Sequence, residues 1–587
     1  MAKASFLDKN QIKSNISNLQ KMMEKHKLDA FYVASSDIFL NEYVPLEDCH
    51  RYYVTGFTGS TAEVLVVKNG KVKLFVDGRY YEQADLEVDP KFVEVVKVEL
   101  NAGIRNMLLK TVADLKLKKI GAEGERLDLS MLGELNKLST VQLFNQNDMQ
   151  AVIDFKKLSF DIKIHNIDES LTGESTESKL KRILKPNEAM FLSTLDSIAW
   201  LTNLRRYELP NQSTFRAKAL ATYNRVYLLL ENLEGEIKSS NIEYCLGSFS
   251  NLSVFLADIF LVNRLVEGEH LEINKVFYSD TAANASDYTE LVKFFGAEKL
   301  VNKREGLVPF HALKNEVEIN AMKSSFNKAD TAIFNTIKWV KNEVKNGSSF
   351  SELDYYHKCN EFYKAEGAFD QSFNTIAAFG ANSSIIHFSS PSESIMFKKD
   401  ELCLLDSGGY FDAGLATDTT RTFLSGGSAS AKQKEIYTLV LKSLLHVMNA
   451  VFMDGAWGST LDGVTRQPML QYGFNFNHGT GHGVGINVHE GGFRISPTSN
   501  IPLKENTVGS LEPGIYLPGF GGVRLENIVI VRKHPTYAGM LCFENLVWVG
   551  FDHDLIDTNL LTKQEVEWLE NYERECEKRG RSFKYSK

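Results

Sequence analysis

Two stretches constrain this fold more than any others: "LCLLDSGGYFDAGLATDTTRTFL" at 402–424 and "GSLEPGIYLPGFGGVRLENIVIV" at 509–531. Each reads as strand, glycine-rich turn, strand, because apolar or Thr-rich runs flank residues that favour chain reversal. In the first, Asp406 and Asp418 lie six residues either side of Asp412; in the second, Glu512 and Glu526 lie seven either side of Gly519. If no bulge intervenes, the members of each pair face each other across a hairpin at about 5 Å. Carboxylates that close repel unless a proton or a cation sits between them. One acidic pair on a hairpin is ordinarily solvated. Two pairs, each abutting an apolar strand, predict a shared polar centre, and four carboxylates call for roughly two divalent cations.

Between the hairpins lies "HGTGHGVGINVHE", residues 478–490, with three histidines and four glycines. His478 and His482 are spaced i, i+4 as on a metalloprotease helix, but the intervening "GTG" makes a helix costly and predicts a loop or strand end. His482 is the natural fifth ligand, with the glycines letting the backbone approach a crowded centre. An oxygen-rich shell favours Mn or Mg, and one added imidazole moves the preference toward Mn, Co, Zn or Fe.

The rest of the chain supplies the scaffold. From Ile12 an amphipathic "IKSNISNLQKMMEKHKLD" precedes short apolar runs "AFYVAS", "AEVLVV" and "VKLFVD", an α/β pattern that repeats from "ESKLKRILKPNEAMFLSTLDSIAWLTNLR" and predicts a duplicated fold. A third segment opens at "KNEVEINAMKSSF", where Asn315 and Glu318 have capping-box spacing and Ile319, Met322, Phe326, Ile333 and Ile337 form a core-facing stripe that "NG" ends. At 587 residues the chain exceeds one domain. Its net charge of −9 and lack of a basic face argue against nucleic acid. Six scattered cysteines without CxxC pairs fit reduced thiols, and the N-terminus has no apolar signal core, so a cytoplasmic, non-membrane protein is expected. "SGGSAS" and "GGFR" lack a following GK[ST] and read as turns rather than phosphate loops.

Asp406, Asp418, His482, Glu512 and Glu526, set in "DSG", "TDTTRT", "HGTGHGVG…VHE", "EPG" and "RLEN", resemble the pita-bread metallopeptidases; "GFTGSTAEVLV" with "DGRYYEQA", and "LTKQEVEWLENYE" near the end, are similar to the long three-domain type of aminopeptidase P. The resemblance implies an α/β (α+β) architecture: creatinase-like α/β domains at 1–157 and 158–312, then a pita-bread catalytic domain at 313–587. It implies an aminopeptidase that removes the N-terminal residue before proline, with a prolidase or a non-catalytic peptide-binding relative as alternatives. Two divalent cations per subunit are implied, Mn2+ foremost and Co2+ or Zn2+ compatible, held by Asp406, Asp418, His482, Glu512 and Glu526. His387, His489 and Glu512 become catalytic; Arg79, His387, His478 and His489 contact substrate; Arg524 supports the carboxylates. A homodimer is also implied. The chain departs from the family pattern in having twelve residues from Asp406 to Asp418 rather than eleven, and "ATD" rather than "TTD".

Overall fold

The computed structural model describes residues 6–155, 158, 160, 162–266 and 271–584. Of these, residues 6–210 and 214–309 form one compact unit, and residues 211–213 with 310–584 form the other. Residue 157, the expected end of the first domain, lies outside the described residues.

The first unit contains two six-stranded sheets. Strands β1 (Ala30–Val33), β2 (Glu63–Val67), β3 (Val72–Val76), β4 (Val93–Lys97), β5 (Lys119–Glu123) and β6 (Thr140–Phe144) follow the order β4-β3-β2-β1-β5-β6. Strands β7 (Glu188–Leu192), β8 (Lys218–Thr222), β9 (Val226–Leu230), β10 (Ile242–Leu246), β11 (Lys275–Tyr278) and β12 (Leu300–Asn302) follow β10-β9-β8-β7-β11-β12. The orders are the same, and so are the directions: β1/β2, β2/β3, β7/β8 and β8/β9 are antiparallel, the remaining neighbours parallel. The duplication read from the sequence is thus a duplication of topology. The interior strands "AFYV" and "VYLLL" are buried along their whole length, as continuous apolar runs are when helices cover both sheet faces.

In the second unit, helix Glu316–Asn346 begins with the predicted capping box between Asn315 and Glu318 and stops at Gly347, whose φ of 74° suits the left-handed C-terminal position. With helix Glu352–Ala365 it covers one face of a three-stranded antiparallel sheet, Ile376–Phe379, Leu402–Ser407 and Thr419–Leu424. Ile333, Ile337, Val340 and Cys359 share a core there with Cys403, Leu405 and Phe423. Since strand side chains alternate, Leu404, Asp406, Thr420 and Thr422 emerge on the opposite face. A six-stranded sheet, ordered Phe452–Met453, Met540–Asn545, Asn527–Lys533, Val508–Leu511, Gly481–Gly483, Glu490–Ile495, is treated likewise. Helix Ala431–Met448 packs its Ile436, Leu439, Val440 and Leu444 against Leu511, Val529 and Val531, leaving Ser510 and Ile528 on the other side. Burying each such Leu, Ile or Val contributes about 1.5–3 kcal/mol. Among the described residues no helix is long and apolar enough to cross a membrane.

Candidate metal centre

The two hairpins carry their acids in different registers. Gly514–Leu517 pairs with Gly521–Arg524 and Val508–Leu511 with Asn527–Lys533, both ladders centred on Gly519, so Glu512 and Glu526 stand opposite each other as the sequence symmetry predicts. In the other hairpin Asp406 pairs with Thr420 and Tyr410 with Ala416, which moves the centre to Ala413. The cause is a five-residue loop, 411–415, closed by a Gly414 N–H to Phe411 carbonyl hydrogen bond of 2.8 Å with Gly414 at φ 63°. Asp418 therefore lies two residues along from the position opposite Asp406, on the same face but diagonal to it. The expected direct opposition is corrected to a diagonal one.

The "HGTGHG" segment is a loop leading into a short strand, as its glycines predict. His482 sits in strand Gly481–Gly483, between Glu490–Ile495 and Val508–Leu511, with a bulge after it. The glycines serve close backbone approach: a Cβ at Gly481 would lie 1.9 Å from the Ser510 carbonyl oxygen. The His482 N–H donates to Ser510 Oγ at 3.0 Å, and Ser510 Oγ donates in turn to Glu512 Oε1 at 3.4 Å.

Four of the five donors converge closely. His482 Nε2 lies 3.5 Å from Asp418 Oδ2 and 3.5 Å from Glu512 Oε1. One ligand atom each from Asp418, His482 and Glu526 fall within 4.8 Å of one another. His482 Nδ1 is 3.1 Å from the Gly483 carbonyl and can only donate to it, so the neutral ring turns the Nε2 lone pair toward the carboxylates. Asp406 Oδ1 and Glu526 Oε1 are buried without a hydrogen-bond partner. Burial first, then the charges of Glu526, Asp406 and Glu512, push the Asp418 carboxyl well above the usual carboxylate range; burial, Glu512 and Asp406 do the same to Glu526. An imidazole lone pair, buried oxygens without a hydrogen bond, and carboxyls whose charge is resisted form a donor set that fits divalent cations.

Neighbouring residues hold this set in place. Arg524, 1% exposed, donates to Asp406 Oδ2 at 2.6 Å, Thr420 Oγ1 at 3.0 Å, the Tyr516 hydroxyl at 3.1 Å and the Ile386 carbonyl at 3.3 Å. The Thr420 hydroxyl donates to Glu526 Oε2 at 2.9 Å. Behind the sheet, buried Arg421 donates to the Thr420 carbonyl at 2.9 Å and the Glu526 carbonyl at 2.6 Å, joining the two hairpins. Sequence reading found Arg524 but missed Thr420, Tyr516, Ser510 and Arg421. Thr420 and Arg421 lie within the quoted "TDTTRT", yet nothing in that string reveals partners about a hundred residues away.

His478 is buried: Nδ1 donates to the Gly479 carbonyl at 2.7 Å, and Nε2 accepts from the Tyr516 hydroxyl at 2.9 Å. Burial raises the Tyr516 phenol to about 12, so it remains a donor at neutral pH. His489 is half-buried, its ring centroid 4.4 Å from that of His482. His387 is half-buried in a turn next to Ile386, whose carbonyl Arg524 holds. Arg79 belongs to the first unit, where its guanidinium grips Asp77 with two hydrogen bonds of 2.9 and 2.8 Å.

Known proteins resemble this chain over nearly its whole length. The family description "Creatinase/Prolidase N-terminal domain" matches residues 15–154 and again 160–344, "Metallopeptidase family M24" matches 320–533, and the C-terminal region of that peptidase matches 539–582. A probable Xaa-Pro aminopeptidase P of Talaromyces marneffei is 31% identical over 608 residues, spanning 96% of this chain and 89% of the fungal protein. The chain belongs to the Xaa-Pro aminopeptidase P family. A second relative, from Laccaria bicolor, is 29% identical and spans 95% of this chain and 89% of its own. The solved X-prolyl aminopeptidase of Caenorhabditis elegans, described as a cytosolic enzyme with a di-nuclear active site, superposes with a TM-score of 0.85 at 23% identity over 97% of this chain and 96% of that one. Two creatinase-like α/β domains followed by a pita-bread domain are therefore the fold of this Xaa-Pro aminopeptidase P relative. It is an enzyme, a metallo-exopeptidase of the Xaa-Pro aminopeptidase type.

Proposed function

We propose that this chain is a dinuclear metal-dependent aminopeptidase that releases the N-terminal residue from peptides with proline second, with Asp406, Asp418, His482, Glu512 and Glu526 holding two divalent cations, Mn2+ foremost. The observation that carries the reading is the meeting of His482 Nε2 with Asp418 and Glu512 at 3.5 Å each, beside the orphaned oxygens of Asp406 and Glu526. Bound there, the cations would supply Lewis-acid polarisation of the scissile carbonyl and ease deprotonation of a water near neutral pH.

The chain's own residues do the rest. Glu512, half-buried at the edge of the donor set, accepts the proton of the attacking water and carries it toward the departing nitrogen. That nitrogen is part of a tertiary amide without N–H, so recognition of proline depends on a pocket that accepts its ring. His489 donates its N–H to the oxyanion. His387 and His478 border the substrate pocket, His478 through the hydrogen bonds that already fix its ring. Arg79 is a further substrate contact, and Arg524 keeps Asp406 and Glu526 aligned, the latter through Thr420.

The test is hydrolysis of Xaa-Pro-Yaa-Zaa and Xaa-Pro peptides by chelated protein reloaded with one metal at a time. Activity returning with Mn2+, at about two ions per chain and on the longer peptide, is the expected outcome. Cleavage of the dipeptide alone would mark a prolidase. Glu512→Ala should lower kcat by at least ~10²-fold. Full turnover by the chelated protein, or by Glu512→Ala, would refute the proposal.

A further inference from the structure

Glu490 follows His489, yet none of the chemistry above uses it. Its side chain is 2% exposed and receives Lys314 Nζ at 2.5 Å and the Ile486 N–H at 3.3 Å, with His311 Nδ1 3.2 Å away. Burial pushes its carboxyl up, but Lys314 and His311 outweigh burial and hold it at about 2, so it is ionised at neutral pH. Lys314 is fixed too: its Nζ donates to the His311 carbonyl and its backbone N–H to the Asn506 carbonyl at 2.9 Å.

The turn 485–489 is folded onto this carboxylate. A Cβ at Gly485 would come within 2.0 Å of Glu490 Oε1, so only glycine lets the backbone lie there. The Gly485 N–H donates to the Asn487 carbonyl at 3.0 Å, and its own carbonyl accepts from the Ala416 N–H at 2.7 Å, inside the loop that joins Asp406 to Asp418. The turn ends in His489, against the ring of His482. Stability alone does not account for a buried ion pair here, because well-packed apolar residues of similar volume commonly serve as well or better. What the pair adds is a fixed acceptor beneath a short glycine-containing turn.

We propose that Glu490 is a positioning residue for His489: anchored by Lys314 and flanked by His311, its carboxylate fixes the 485–489 turn and so keeps the His489 ring beside His482. This rests on the reading of His489 as the oxyanion donor, and the experiment separates the two. In the metal-loaded full chain, kcat and KM on an Xaa-Pro-Yaa-Zaa peptide, bound metal and Tm are measured for His489→Ala, Glu490→Gln and the double variant Glu490→Gln/Lys314→Met. His489→Ala is expected to lose ~10²–10³-fold in kcat. Glu490→Gln is expected to lose at least ~10-fold in kcat with KM and metal content near wild type, as a displaced donor does. The double variant buries no unpaired charge, so it should regain Tm without regaining kcat. Wild-type kcat in Glu490→Gln, or recovery of kcat together with Tm in the double variant, overturns the positioning role. If either variant also loses metal, the proposal fails too. A fully active His489→Ala would instead refute the reading of His489 on which the proposal stands.

Discussion

At the scale of single residues, the centre depends on short polar side chains as much as on its acids. Thr420 is one of them: its hydroxyl accepts from Arg524 Nε at 3.0 Å and donates to Glu526 Oε2 at 2.9 Å, so one oxygen orients both the guanidinium and a carboxylate. Thr420→Val keeps the shape and removes that oxygen. It leaves two buried partners short of a hydrogen bond, and supports of this kind typically carry about 10–100-fold in metal affinity. Titration of Mn2+ into the chelated variant should show a loss in that range with the fold intact by circular dichroism. Unchanged affinity would mean that Arg524 and Glu526 are held by their other contacts.

At the scale of elements, helix Lys563–Lys578 fastens the C-terminal segment to helix Ala431–Met448 through one carboxylate. Glu565 closes a capping box with Thr562 and also meets Lys442 at 2.6 Å and His446 Nε2 at 2.7 Å. Burial opposes its charge, but the hydrogen bonds from Lys442, Thr562 and His446 lower its carboxyl from 4.5 to about 2. A folded value below the unfolded one stabilises at pH above about 4.5, and that contribution fades as the pH falls from there toward 2. Glu565→Gln should therefore cost about 1.5–3 kcal/mol by urea unfolding at pH 7 and less at pH 3. An equal cost at both pH values would rule out the charge as its source. Elements of this sort were largely legible in the sequence, because capping boxes, terminal glycines and apolar periodicity are local signals. So was the Glu512–Glu526 pairing, whose turn is symmetric about Gly519. The Asp406–Asp418 hairpin was misread by two positions because the conformation of Gly414, which closes the loop at 411–415, is set by backbone geometry that spacing does not encode. Contacts such as Thr420 to Arg524 or Lys314 to Glu490 join segments 104 and 176 residues apart, and neither end carries a pattern that names the other.

At the scale of the whole molecule, all five proposed ligands lie in one compact unit and none in the other. The first unit, with its two sheets of the same topology, has its own cores, and the second has separate ones around its central helices. A cation bound only to the folded second unit stabilises that unit by mass action, about 2.7 kcal/mol at a free concentration a hundred times Kd, and leaves the first without a direct gain. For a unit of this size that corresponds to a rise of roughly 5–10 °C in its midpoint. Calorimetry of the chelated and Mn2+-loaded chain should then resolve two transitions, of which metal moves one. Limited proteolysis between the transitions should digest one unit and leave the other, identifying the metal-sensitive half by mass. A metal shift in the transition of the N-terminal half, or none in either, would contradict the assignment of the ligands. The site would then have to be sought outside the two hairpins and the histidine strand between them.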